Sequence, residues 1–284
     1  MKKMAREQKT PKRNQKKNQN KSKTDSSLLT YGGHLEVLRQ MLFRVISVAG
    51  LISVLIFCFK DITWQVLMAP SEWGFCTYRW IESVIQSVGV DFHFEEFHVE
   101  MIATDLSSQF MTHITTSVYL GLLGASPYIL YELFRFISPA LYENERKYSV
   151  RVTCIIYGLF IFGVLMSYFV LFPISFRFLG TYSVSAKVVS NITLDSYIST
   201  FVSLTLVMGI VFQLPVISFF LGKLGVITSG MLVDYRKHSF IGIMLVAAII
   251  TPPDLMTLIL VTIPLYLLYE VSIRVVRLVE DNPS

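Results

Sequence analysis

The sequence predicts an all-α polytopic membrane protein with six transmembrane helices, the last two short, preceded by an interfacial N-terminal helix. Three observations carry this reading. Of the 284 residues, 53% are hydrophobic and only 16% charged, with mean hydropathy +0.54, whereas soluble domains carry about 25% charge. The charges are segregated, leaving long apolar runs almost free of them. The bases also recur in alternate linkers, as the positive-inside rule requires of a chain that crosses a bilayer repeatedly.

Residues 1–25 are almost wholly Lys, Arg, Gln, Asn, Thr and Ser. Such a segment cannot bury enough apolar surface to fold, so it reads as a disordered basic cytoplasmic tail. It attracts anionic lipid headgroups and lacks the interleaved aromatics of a nucleic-acid binder. No apolar stretch directly follows the bases, so a secretory signal is not predicted. The membrane domain occupies 26–276, and 277–284 form a short cytoplasmic tail.

Ser26 to Gln40 sets Leu28, Leu29, Leu35 and Leu38 among polar residues, the pattern of a helix lying along the interface. The first span runs from about Met41 to Phe59, near the ~20 residues a bilayer needs. Lys60 to Gln109 is a long acidic loop containing Trp64, Trp73 and Trp80, residues that favour the headgroup layer. The second span covers about Phe110 to Phe134 and includes Pro127. The third runs from about Val150 to Phe172, where Pro173 is expected to help end it.

The fourth span, about Tyr197 to Leu221, carries Gln213 and Pro215 inside apolar sequence. Ser239 to Ile250 gives a fifth run about 18 Å long as a helix, against a ~30 Å hydrocarbon core. After Thr251-Pro252-Pro253-Asp254 the sixth run returns from Leu255 to Tyr269. Both are expected to be too short to span comfortably, with the bilayer thinned around them. The basic tail, the 135–151 linker, the 223–237 linker and the C-terminal end hold most of the bases. Both termini and the linker that carries Glu145 are therefore cytoplasmic in this reading.

No HExxH, GxSxG, Walker A or GxGxxG motif is present, and the three cysteines have no CxxC spacing. The sequence predicts neither an enzyme, a cofactor nor a metal site. The polar groups that remain are Glu36 and Arg39 on the interfacial helix, Glu143 and Glu145 on the central linker, Gln213, Thr251, Asp254 and Glu270. On a solvated loop Glu143 and Glu145 would simply pair with Arg146 and Lys147, and Glu270 would snorkel from a helix end. A buried amide such as Gln213 needs hydrogen-bond partners in hydrocarbon.

Five motifs occur in order: His34-Leu-Glu-Val-Leu-Arg39, Met101-Ile-Ala-Thr-Asp105, Phe136-Ile-Ser-Pro-Ala-Leu-Tyr-Glu-Asn-Glu-Arg146, Phe212-Gln-Leu-Pro215, and Thr251-Pro-Pro-Asp254 followed by Pro264 and Tyr269-Glu270. Together they resemble the twin-arginine translocase TatC family over residues 30–276. The resemblance implies a bacterial cytoplasmic-membrane receptor for folded proteins whose signal peptides carry two adjacent arginines. It also implies an oligomeric complex with single-span TatA/TatB-type subunits. Two family glutamates bind the arginines, and Glu145 matches the second by its context. The first stands where this chain has Val37, and Glu36 lies one residue earlier, ~100° round a helix. Gln213 replaces a membrane-embedded Glu frequent in the family. Thr251 matches a Thr that contacts partner helices, with Leu258 at a position often held by Gln. The runner-up reading, a proton-coupled or small-molecule secondary transporter, calls for an inverted repeat and midplane ionisable groups, and the sequence shows no clear repeat.

Overall fold

The computed structural model describes residues 36–87, 89, 96–97, 99–141, 149–183, 185, 191–251 and 254–281. The 1–25 tail, residues 26–35 of the interfacial segment, Glu143, Glu145 and residues 282–284 lie outside the described residues. The chain divides into two compact units, Met1–Val48 and Ala49–Ser284. Among the described residues, four helical runs are long and apolar enough to cross a membrane: Glu36–Cys58, Val152–Thr181, Leu194–Lys223 and Leu255–Asp281.

The first run, α1 (Glu36–Cys58), is one uninterrupted helix. Residues 36–40, assigned by sequence to an interfacial helix, thus continue directly into the first apolar run. After Phe59 come α2 (Lys60–Met68), a 3₁₀ turn at Ala69–Ser71 and α3 (Cys76–Ser87). The second apolar run forms two helices, α4 (Ser108–Gly124) and α5 (Ser126–Leu141), which meet at Ala125. Pro127 sits in the first turn of α5, where its missing N–H costs least. Small residues let α4 approach α1 closely. A Cβ added at Gly121 would stand only 2.0 Å from Ser53 Oγ.

Pro173 does not end the third run. Helix α6 (Ser149–Met166) passes through a π-helical turn at Ser167–Leu171 and continues as α7 (Phe172–Thr181). The reason is local. Pro173 offers no N–H to the carbonyl of Phe169 four residues before it, and Thr77 Oγ1 donates to that carbonyl instead. The phenol of Tyr78 donates to the carbonyls of Pro173 at 2.9 Å and Pro70 at 3.1 Å. Tyr168 donates to Val66 O and Tyr197 to Leu67 O, each at 2.7 Å. The α2–α3 segment is therefore fastened to the bundle through backbone carbonyls. Burial pushes the Tyr78 phenol above its usual pKa against the opposing charge of Arg177, so it remains a neutral donor. The Arg177 guanidinium lies 4.8 Å from the Phe97 ring centroid and 5.4 Å from that of Tyr78.

A two-residue parallel pairing of β1 (Met101–Ile102) with β2 (Ile192–Thr193) closes the same end. Beneath it, Phe172, Phe176, Tyr197 and Phe201 make edge-to-face contacts with centroids 5.0 Å apart. The fourth run is α8 (Leu194–Val211) and α9 (Leu214–Lys223), with Pro215 in the first turn of α9. Gly163 brings α6 against α8, where a Cβ would meet Met208 O at 2.6 Å. A second core cluster joins Leu204, Met208 and Phe212 to Ala247, Val261 and Leu265.

The chain ends with α10 (Ser229–Asp234), α11 (Arg236–Ile250) and α12 (Leu255–Asp281). The sequence expectation that both final helices are short holds for α11, with 15 residues, and fails for α12, with 27. The apolar stretch of α12 does stop near Tyr269, but no Gly or Pro follows to interrupt the helix before Asp281. Its first charged residue, Glu270, also finds partners, so the helix carries on past the apolar boundary. Pro264 is accommodated inside α12.

Candidate functional site

Gln213 sits at the joint between α8 and α9, where the backbone turns before Pro215. Its Nε2 donates to the Ile156 carbonyl of α6 at 3.0 Å, while its Oε1 is buried without a partner. The side chain lines a half-open cavity of about 410 Å³ between α4, α5, α6, α8 and α9. The remaining lining is apolar apart from Ser126, whose hydroxyl oxygen is also buried and unpartnered. This cavity thus combines a hydrocarbon-compatible wall with two unmet hydrogen-bonding groups. Such groups are costly where no water can reach them.

Sequence reasoning missed Glu132. It lies on α5, 5% exposed, and its Oε1 accepts from Tyr128 at 3.1 Å one turn earlier. The signal was present, because Glu132 is the one acid in the apolar stretch from Pro127 to Phe134.

At the α11–α12 turn the predicted polar pair has clear local roles. Thr251 is 6% exposed and its hydroxyl donates to the Ala247 carbonyl at 3.0 Å, closing the end of α11. Asp254 Oδ1 accepts the Thr257 backbone N–H at 2.7 Å, capping α12. Asp254 Oδ2 and Thr257 Oγ1 are buried without partners. Leu258 packs against the core cluster of α8, α11 and α12.

Glu270 does not snorkel alone. Its Oε2 pairs with Arg236 Nη2 at 2.8 Å, and its Oε1 accepts from Tyr266 at 3.2 Å. The α10–α11 joint is thereby tied to α12, helped by Tyr269, which donates to Leu232 O at 2.6 Å. On α1, Glu36 pairs with Arg39 at 2.9 Å and accepts from Gln40 at 3.2 Å. Both ionic side chains are about half exposed or more, so this pair adds little to stability. Glu145 and Glu143 lie outside the described residues, so Glu36 and Arg39 are the predicted arginine-site residues whose geometry is described.

Comparison with known proteins completes the picture. The family model for the Sec-independent protein translocase protein (TatC) matches residues 33–264. A TatC from Blattabacterium sp. subsp. Periplaneta americana (strain BPLAN) is 32% identical over 257 residues, covering 89% of this chain and 97% of that protein. The Bacillus subtilis (strain 168) protein TatCy is 36% identical over 173 residues, 61% of this chain and 68% of that one. A crystal structure of the twin-arginine translocase receptor TatC superposes with a TM-score of 0.70 at 31% identity, covering 87% of this chain and 99% of the other. The buried amide, the capped α11–α12 turn and the paired Glu270 are thus features of a multi-pass membrane protein that belongs to the Sec-independent protein translocase (TatC) family.

Proposed function

We propose that this chain is the core receptor of a twin-arginine protein translocase, binding the twin-arginine signal peptides of folded cargo and scaffolding assembly of the export pore. The observation that carries the reading is likeness along almost the whole length of a solved twin-arginine translocase receptor. In this reading the chain crosses a bacterial cytoplasmic membrane six times. The broken α4–α5 run and the short α11 are the two crossings added to the four long helical runs. Both termini face the cytoplasm, and the basic tail rests on anionic headgroups.

Glu145 is the main arginine-binding carboxylate, Glu36 a weaker second, and Arg39 holds Glu36 in place through their ion pair. Adjacent guanidinium groups favour carboxylates because each can form two parallel charge-assisted hydrogen bonds. Single-span TatA/TatB-type subunits dock by helix packing, supported by the unmet groups at Gln213, Thr257 and Asp254. Thr251 and Glu270 hold the α11–α12 hairpin in shape for that contact.

Peptide titration in detergent tests the arginine site. Losing one charge-assisted partner costs about 1.5–3 kcal/mol, or roughly tenfold to a hundredfold in affinity. Glu145→Ala loses that much for a twin-arginine peptide and little for its twin-lysine control, while Glu143→Ala changes neither. Equal losses in the two variants remove Glu145 from the site.

A further inference from the structure

A second cavity, also about 410 Å³, opens at the C-terminal end of α1. Lys60, Trp64, Gln109 and His113 line it together with apolar side chains of α2, α4 and α8. Lys60 begins α2 two residues after α1 ends, and Gln109 is in the first turn of α4. Both lie where the chain leaves apolar helix, the depth of lipid headgroups, and Trp64 suits that level. Among the described residues, no hydrogen bond or ion pair engages the Lys60 ammonium.

Two further features favour an anion, and a third adds a polar contact. Among the described residues no carboxylate lines this cavity; Asp61 and Glu72 line an adjoining depression that shares Lys60, Trp64 and Met68. Ser107, at the N-cap of α4, makes no side-chain cap, so the positive end of a 17-residue helix adjoins Gln109. The His113 ring stacks on Phe57 at 4.4 Å and 15°, and its Nε2 is buried without a partner. One ammonium, one amide and one imidazole therefore meet at a cavity whose remaining wall is apolar.

We propose that this cavity binds the phosphate of an anionic phospholipid, with Lys60 and Gln109 on the headgroup and the acyl chain along Met68, Phe110 and Leu194. The mixed wall favours a lipid over a free ion, because a free phosphate leaves the apolar half unused. A lipid held there would pin the start of α2 to the outer end of α4.

Native mass spectrometry of the full chain in detergent, titrated with phosphatidylglycerol, tests this. The wild type retains the lipid, and Lys60→Gln weakens retention about tenfold, the effect of one lost charge-assisted contact. Gln109→Leu weakens it by a smaller factor, and Lys60→Arg restores most of the binding. Arg79→Gln, which removes a cation outside this cavity, leaves retention unchanged. Equal loss in Lys60→Gln and Arg79→Gln means diffuse attraction and overturns the site. Displacement of the lipid by millimolar inorganic phosphate assigns the cavity to the free ion and overturns the lipid assignment. Thermal unfolding of each variant, unchanged from the wild type, shows that lost binding reflects the site and not the fold.

Discussion

Replacing Gln213 with Leu separates two roles that one amide can play. Inside the bundle, the change deletes the 3.0 Å bond to the Ile156 carbonyl, and such bonds in membranes contribute about 0.6–1.7 kcal/mol. It also removes an acceptor, Oε1, that is buried with no partner, and leaving such a group unmet costs about 1–3 kcal/mol. The two terms oppose each other, so the isolated chain should change in stability by anything from a loss of about 1 kcal/mol to a gain of about 2 kcal/mol. In the proposed docking, association with a single-span partner loses a hydrogen bond without any such offset. It should weaken by about 0.6–2 kcal/mol, or roughly threefold to thirtyfold. Energy transfer between labelled subunits in nanodiscs measures association, and steric trapping measures stability. A clear loss of stability with unchanged association would show that Gln213 is an internal brace and refute its docking role. Gln213→Glu should keep association if water reaches the cavity.

Packing and capping give three further expectations. Gly163→Ala places a methyl 2.6 Å from Met208 O and should cost about 1–3 kcal/mol through overpacking, whereas Gly158, with nothing within 4 Å, should accept Ala at no cost; thermal melts of the two variants decide it. Tyr197→Phe leaves the buried Leu67 carbonyl without its 2.7 Å donor and should lose about 1–3 kcal/mol, more than Tyr168→Phe, whose bond to Val66 O is exposed; denaturant titration in detergent tests the order. The 15 residues of α11 make a helix of about 22 Å, some 8 Å short of a ~30 Å hydrocarbon core, so a spin label at Asp254 should be less accessible to an aqueous relaxation agent than one at Met101. Equal accessibility would count against local thinning.

The helical runs are legible because apolar stretches of spanning length leave little choice of secondary structure in lipid. Pro173 misleads because its effect depends on a distant residue. A proline ends a helix when the freed carbonyl has no donor, and here Thr77, nearly a hundred positions earlier, supplies one. The length of α12 misleads for a related reason. Hydropathy marks where a helix leaves the hydrocarbon and says nothing of where it stops, and Arg236 stabilises the first polar turn from another element. Glu270 looks like a snorkelling acid in the sequence because its partner is 34 positions away. Gln213 is legible as a residue needing partners, since a lone amide in apolar sequence must bond something. Its partner, a backbone carbonyl on α6, has no sequence signature at all.

Buried polar groups in different parts of the molecule differ in satisfaction. Around α2 and α3, the buried Thr77, Tyr78 and Tyr197 each donate to a backbone carbonyl of another element or of the neighbouring turn. These bonds fasten α2 and α3 to the bundle, while Ser175 Oγ on α7 is buried without a partner. Along the cavity and the α11–α12 turn, Gln213 Oε1, Ser126 Oγ, Asp254 Oδ2 and Thr257 Oγ1 are buried with nothing to bond. Soluble proteins can place a water at such points, but hydrocarbon cannot supply one. An unmet group at membrane depth therefore gains most from a donor or acceptor on another helix, and several along one bundle gain from a helix laid beside them. Bonds met around α2 and α3 and groups left unmet along the cavity and the α11–α12 turn suit the proposed scaffold role, in which assembly with partner helices completes the missing hydrogen bonds.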